Sequence, residues 1–389
     1  MSTTTHHHQG VLMSNQIKIG KERLSKTLGI LKYALDRRVT LPILQYIFMK
    51  TNGKELVLKA TDMDLSFEAT IPIEGQGDWS ITVPGRKFID TIQSFPTTEL
   101  TLETTNNSNR LWVRAKDMNS EQNIQPSDGY PELPTNNGKL AQIKLPIQKL
   151  KEAIGLASIA VSRDTTKPTM AAVLLHIQKT NIRLVSTDGF RLAIAEIPCE
   201  TKINEEVKLV VPRRALDLFP QLLTNEGEVV IAWDATTLYI DQPGLKFSTR
   251  LVNGNFPAYE KVIPQELPKK VLIDRDLLSK RLRFVGLKKD DYNKNVQLVF
   301  AYPNLKIVFQ HPDEGTNQST LPFSGEEQAF ELAFNIDYLT EILDRLTGED
   351  VVYQFKDEIG QGIFTSPSIE GFVFRYILMP VRFANPTPA

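Results

Sequence analysis

Cysteine is almost absent: Cys199 is the only one in 389 residues. One thiol can form no internal disulfide and no multi-cysteine metal site, and it fits a reducing compartment, so a cytoplasmic protein is expected. Histidine is scarce as well. Three of the five lie together at His6, His7 and His8. They fall in an opening stretch, residues 1–12, that reads as an appended tag, with Met13 the expected native start. His176 and His311 remain, and neither sits in a recognisable catalytic setting. No apolar run approaches the roughly 18–20 residues a membrane-crossing helix needs, and no secretory leader opens the chain. The phosphate loop GxxxxGKS/T, the dinucleotide fingerprint GxGxxG, the zinc motif HExxH and the nucleophile elbow GxSxG are all missing. The expectation is a protein with no cofactor, no metal and no catalytic residues. Neither sign of charge dominates: 45 Lys and Arg stand against 46 Asp and Glu. That balance does not announce a nucleic-acid binder, but it permits the two signs to be segregated in space.

What the chain has is repetition. LVLKATDMDLSFEATIP, from Leu56, and IRLVSTDGFRLAIAEIP, from Ile182, share one plan: apolar strand, Thr-Asp, short turn, apolar strand, Ile-Pro. Their Thr-Asp pairs, at Thr61 and Thr187, are 126 residues apart. A recurring Asp at a turn fits a carboxylate bonded to nearby backbone better than acid–base chemistry, so Asp62 and Asp188 are read as turn residues. A second block recurs as ITVPGRKFIDTIQSF from Ile81, LVVPRRALDLFPQLL from Leu209 and LAFNIDYLTEILDRL from Leu332. In each a strand runs into a helix with apolar residues at helical spacing, and Pro84 and Pro212 mark two of the starts. A third block opens each copy with a helix: KERLSKTLGILKYAL from Lys21, IQKLKEAIGLASIAV from Ile147 and RDLLSKRLRFVGLKK from Arg275. Leu24, Leu28, Leu31 and Leu35, then Leu150, Ile154 and Ala157, then Leu278, Leu282 and Val285 form the predicted buried faces.

Each copy thus reads as an α+β unit of two helices and about eight strands. Pro-rich segments between Pro126 and Leu140 and between Asn255 and Val271 punctuate the copies. The expected domains are residues 13–136, 137–265 and 266–389.

The cations cluster. Residues 21–38 hold Lys21, Arg23, Lys26, Lys32, Arg37 and Arg38 against Glu22 and Asp36. Residues 275–291 hold six Lys and Arg against Asp276, Asp290 and Asp291. Basic helices on a nearly neutral chain imply one positive face, suited to phosphates without base reading. The residues alone leave two other classes open: an enzyme without a known motif, sited between α+β domains, and a repeat-built interaction scaffold with no DNA role.

STDGFRLA from Ser186, NGNFPAYEKVIP from Asn253 and the closing YILMPVRF from Tyr376 narrow the choice. With LPIL from Leu41 and FNIDYL from Phe334, they resemble the bacterial DNA sliding clamp, the beta subunit of DNA polymerase III, from about Ile17 to Phe383. The resemblance implies a non-enzymatic processivity factor of DNA replication. It implies a head-to-tail homodimer closed into a ring, antiparallel sheets outside and helices lining a hole for duplex DNA. It carries DNA contacts onto Arg37, Arg38, Arg163 and Lys167. It also implies a cleft for short peptides of DNA polymerase subunits, the clamp loader and repair proteins. The matching positions begin with Met170, Thr187, Gly189, Phe190, Arg191 and Leu192. They continue through Pro257, Lys261, Val262, Asn335, Tyr338 and Ile359 to Met379, Pro380, Val381 and Arg382. Phe190 replaces a common His, Lys261 a common Arg and Val381 a common Met, so peptide preference is expected to differ. Residues Ala384–Ala389 are expected to shield the cleft in part. The stretch Ser120–Gln125, at the expected dimer edge of the first copy, is more polar than the family pattern.

Overall fold

Backbone amides dictate the architecture, because each N–H and C=O must find a partner and a sheet supplies it from the neighbouring strand. The structure, a computed structural model, describes residues 14–35, 41–105, 109–223, 226–366 and 373–381. Among them the helices in chain order are α1 (Lys21–Leu31), α2 (Gly85–Ser94), α3 (Ile147–Ala157), α4 (Arg213–Leu216), α5 (Phe219–Leu222), α6 (Arg275–Val285) and α7 (Ile336–Leu343). The three opening helices α1, α3 and α6 are each 11 residues long and each run into a three-residue 3-10 turn. The ten apolar residues predicted to face inward from them are buried.

The second helix of the middle copy departs from the single helix expected. It is broken into α4 and α5. Pro220 is the reason: it has no N–H to give the carbonyl one turn back, so the helix cannot run through it. Leu216, Phe219 and Leu223 are buried all the same.

Among the described residues each copy contributes eight principal strands, paired antiparallel wherever their register is described, and they divide in the same way three times. Counting strands within a copy, one sheet takes them in the order fifth, second, third, fourth. The other takes first, sixth, seventh, eighth. In the middle copy the fourth strand is Arg191–Pro198 and the eighth is Leu245–Arg250. The corresponding strands are Leu65–Pro72 and Met118–Asn123 in the first copy, and Gly315–Pro322 and Val373–Leu378 in the third.

Close contacts group the chain into two units, Met1–Lys144 with Glu228–Arg250, and Leu145–Gly227 with Leu251–Ala389. The division cuts through the middle copy because its two sheets have different neighbours. In the first unit a nine-stranded sheet forms where the first copy's fourth strand pairs with the middle copy's eighth, Phe67 opposite Phe247. In the second unit a nine-stranded sheet forms where the middle copy's fourth strand pairs with the third copy's eighth, Leu192 opposite Ile377. The first unit also holds a five-stranded sheet ending on Met118–Asn123, and the second a four-stranded sheet ending on Gly315–Pro322.

Phe67 and Phe247 pack with ring centroids 5.1 Å apart and planes tilted by 44°, and are 0% and 2% exposed. On the opposite face Glu68 lies between Lys59 (2.9 Å) and Lys246 (3.0 Å). The joint in the second unit repeats this chemistry, with Glu196 between Arg183 (2.8 Å) and Arg375 (4.0 Å). Phe67→Ala empties an aromatic site at the first joint and is expected to cost about 3–5 kcal/mol, read as a lower midpoint in denaturant unfolding of the full chain.

Candidate functional site

The Thr-Asp turn is built twice by identical bonding. The Asp62 carboxylate accepts the N–H groups of Asp64 (3.0 Å) and Leu65 (2.8 Å), and the Thr61 hydroxyl donates to the Leu65 carbonyl at 2.9 Å. In the middle copy Asp188 accepts from Phe190 (3.0 Å) and Arg191 (3.1 Å), and Thr187 donates to the Arg191 carbonyl at 2.8 Å. These carboxylates are turn-formers, as expected from their recurrence. Gly189 takes φ +93°, where a side chain would be strained, so the turn is tight and lifts Phe190 into solvent at 66% exposure.

Beyond the turn the chain enters the strand Arg191–Pro198, and a cleft of about 340 Å3 lies over the start of that strand. Of the expected residues, Met170, Thr187, Gly189, Phe190, Arg191, Leu192, Pro257, Val262 and Met379 line it. Leu192 and Ile377, paired across the joint, form a buried floor at 3% exposure each, continuous with a core cluster that includes Leu174, Val185 and Ile194. Val262 and Met379, 47% and 46% exposed, stand on the rim.

Among the described residues, Lys261, Asn335, Tyr338, Ile359, Pro380 and Val381 are outside this lining. Lys261 lies on the adjoining 3-10 turn Tyr259–Val262 but is exposed. Asn335 caps α7 by accepting the Asp337 N–H. Tyr338 lies beneath the Arg191 guanidinium, 4.1 Å from its ring centroid. Ile359 is held in a separate turn by Asp357 and is 65% exposed. Pro380 follows Met379, and the Val381 N–H is tied to the Ala333 carbonyl at 2.8 Å. Arg382 and Ala384–Ala389 lie outside the described residues, as do Arg37 and Arg38. Ala258, Tyr259, Gln361 and Ile377 line the cleft without having been anticipated. Gln361 donates to the Val262 carbonyl at 2.9 Å, bracing the rim. Tyr259 and Ile377 are both core residues, with one face left to the cleft.

Arg191 holds the site together. Its side chain is 6% exposed and ion-paired to Asp188 at 3.0 Å and to Glu341 of α7. It also donates to the Tyr376 hydroxyl at 3.1 Å. Burial opposes its charge, but the Tyr376 hydroxyl and Glu341 outweigh that and hold the guanidinium protonated above its ordinary range. The other oxygen of Glu341 lies 3.8 Å from Arg163, whose side chain is 86% exposed. Lys167 is exposed on the same loop, where its carbonyl accepts the N–H groups of Met170 and Ala171. Arg163, Arg213 and Arg345 border a second, polar pocket with Glu341 and Asp344.

Behind the cleft, His176 is 1% exposed, with Nδ1 2.8 Å from the Tyr259 hydroxyl and Nε2 3.0 Å from Glu206. Burial pushes its pKa below the ordinary 6.5, although Glu206 works the other way. The unfolded chain therefore takes up this proton first. Stability should be complete above about pH 6.5 and be lost as pH falls from there through the lowered folded value. Melting temperatures across this range should show that slope, and His176→Gln, which cannot titrate, should flatten it.

Family models match the chain in succession. They describe the N-terminal domain of the DNA polymerase III beta subunit over residues 15–134, the central domain over 144–258 and the C-terminal domain over 260–382. The beta sliding clamp of Pseudomonas putida is 26% identical over 366 residues, spanning 94% of this chain and 99% of its own. Among solved structures, the sliding clamp of Bartonella birtlesii bound to griselimycin is similar with a TM-score of 0.87 at 26% identity, covering 95% of this chain and 100% of that one. The sliding clamp of Bacillus subtilis, at 22% identity and a TM-score of 0.86, matches in fold. With a thrice-copied α+β plan whose antiparallel sheets run from copy to copy, and with all three domain models matched in order, the chain belongs to the DNA polymerase III beta subunit family, the bacterial sliding clamps.

Proposed function

We propose that this chain is a processivity factor of DNA replication, with domains at residues 13–136, 137–265 and 266–389. Two copies closed head to tail would form a ring around duplex DNA and hold polymerases through the cleft. One observation carries the reading. The fourth strand of one copy pairs with the eighth strand of the next, twice within the chain. One strand of each kind is then left at the outside of its sheet, Gly315–Pro322 and Met118–Asn123. A second chain offers each free edge its complement, and two such joints close the assembly.

The exposed cations suit the bore of such a ring. Arg23, Lys26 and Lys32 follow α1 and its 3-10 turn, Arg86 and Lys87 open α2, and Lys280, Arg281 and Arg283 lie on α6. Arg163 and Lys167 belong with them, as do Arg37 and Arg38 on the family pattern. Contacts to phosphates alone have nearly the same energy in every register, so the ring can slide. Retention then comes from enclosure, and a tethered polymerase meets DNA at high effective concentration. Such work needs no catalytic group. It would take place in the cytoplasm beside the chromosome, with a clamp loader to open the ring.

The cleft, apolar with a few polar anchors, suits a short apolar peptide from a polymerase subunit, the loader or a repair protein. The relative from Bartonella birtlesii was solved with griselimycin, and the same cleft is our candidate for such a ligand here.

Loaded by a clamp loader and ATP onto singly nicked circular DNA, the protein should co-elute with the circle and be lost once the circle is cut. Equal retention on linear DNA would sink the reading. In fluorescence polarisation with a polymerase-derived peptide, Val262→Asp or Met379→Asp should weaken binding about tenfold or more. Ile359→Ala should change it little.

A further inference from the structure

Arg191 lines two pockets at once. It belongs to the wall of the apolar cleft and to the wall of the polar pocket, a space of about 420 Å3. Among the described residues it is the one that the two linings have in common. The polar pocket also holds Arg163, Arg213 and Arg345, all exposed, together with Asp217, Glu341 and Asp344. Its four guanidinium groups outnumber its three carboxylates, and Asp344 is shared with Arg283, which lies outside the lining. Several guanidinium groups around one polar space suit a phosphate, whose oxygens accept from their planar forks.

Glu341 stands between the two sets of contacts. One of its oxygens pairs with Arg191, and the other lies 3.8 Å from Arg163. Arg191 lies in turn 3.0 Å from Asp188, whose carboxylate accepts the N–H groups of Phe190 (3.0 Å) and Arg191 (3.1 Å). A chain of contacts therefore runs from Arg163 to the turn that sets Phe190 on the wall of the cleft. Its links differ in strength. The Arg191 side chain is 6% exposed, lies over Tyr338 and donates to the Tyr376 hydroxyl, so its partners are poorly screened. The Arg163 side chain is 86% exposed, and its long contact with Glu341 is easily given up.

We infer that a phosphate group seated among Arg163, Arg213 and Arg345 strengthens the cleft's hold on its peptide, with Glu341 and Arg191 as the positioning residues between the two sites. The phosphate takes Arg163 from Glu341. The carboxylate then serves Arg191 alone, Arg191 holds Asp188 more firmly, and the turn bearing Phe190 is fixed before the peptide arrives. A wall set in advance leaves less ordering to be done on binding. Such coupling is reciprocal, so a bound peptide also tightens the phosphate. The inference rests on the peptide-cleft reading and adds a signal to it: the partner is held harder while the polar pocket is filled. The backbone of a nucleic acid and a free polyphosphate offer the same chemistry.

Fluorescence polarisation with a capped, uncharged peptide from a polymerase subunit reads the effect, since such a ligand has no direct attraction to added anions. Inorganic tripolyphosphate, against sodium chloride at equal ionic strength, should tighten the peptide about two- to fivefold, the range that one exposed ion pair allows. A parallel arm with a short linear DNA duplex distinguishes the sources: tightening there as well names the nucleic-acid backbone, and tightening by tripolyphosphate alone names a free polyphosphate. Arg163→Ala removes the competitor for Glu341. It should tighten the peptide about twofold with no anion present and abolish the response. Glu341→Gln should bind tripolyphosphate no less tightly, because an acid has left the pocket, yet its cleft should no longer respond. Should that variant fold poorly, Arg163→Ala, at an exposed side chain, decides alone. A wild-type response no greater than that to sodium chloride, weaker peptide binding in Arg163→Ala, or a response that survives Glu341→Gln would each overturn the inference and leave the cleft reading standing. A peptide that fails to bind under any of these conditions would remove both.

Discussion

The hydrogen-bonding demand of a sheet edge governs this molecule. A strand with a free edge presents a row of unsatisfied amides and carbonyls, and folded proteins cover, blunt or pair such edges. Here the solution is to pair the fourth strand of one copy with the eighth of the next. Every other feature is arranged around that choice. Helices pack on one face of the extended sheets, charged triads cross the joints on the other, and the two strands left over carry polar sequences.

The cleft is a by-product of the same joint. Its floor is the pair Leu192 and Ile377, brought together because Arg191–Pro198 and Val373–Leu378 are neighbours in one ladder. Its walls are turns on either side of that ladder. Arg191 ties the two copies at this point, with Asp188 from its own copy and Glu341 and Tyr376 from the third. A buried guanidinium is tolerated only when acids and hydroxyls surround it, so the arrangement of the cleft mouth and the packing of α7 are set by one side chain. Because Glu341 also reaches toward Arg163, the residue that orders the cleft shares a carboxylate with a cation on a different surface.

Much of this was legible in the residues. The opening helices follow from apolar spacing alone, since a repeated stripe of leucines has one way to be buried. The turn role of Asp62 and Asp188 follows from their recurrence beside glycine or a short loop. Apolar spacing predicts a continuous second helix in the middle copy; Pro220 breaks it, and the spacing survives the break. Thr187 and Gly189–Leu192 are neighbours in sequence and line one cleft because a single turn presents them together. Asn335, Tyr338 and Ile359, which the resemblance also assigns to the cleft, are a helix cap, a platform for Arg191 and a solvent-exposed turn residue. Local pattern does not single out Tyr259 and Ile377, because a buried side chain that borders a cleft looks the same in sequence as one packed on every side. Which sheet edges meet is also invisible to local pattern, since antiparallel partners lie more than 170 residues apart at both joints.

The partition of the middle copy has a mechanical meaning. Its first, sixth, seventh and eighth strands complete one nine-stranded sheet, and its second to fifth strands complete another. Neither sheet can keep its full hydrogen-bonded width if that segment unravels, so the middle third has no private unfolding event. Excised, it would leave a raw margin in each sheet, at Leu65–Pro72 in one and at Val373–Leu378 in the other.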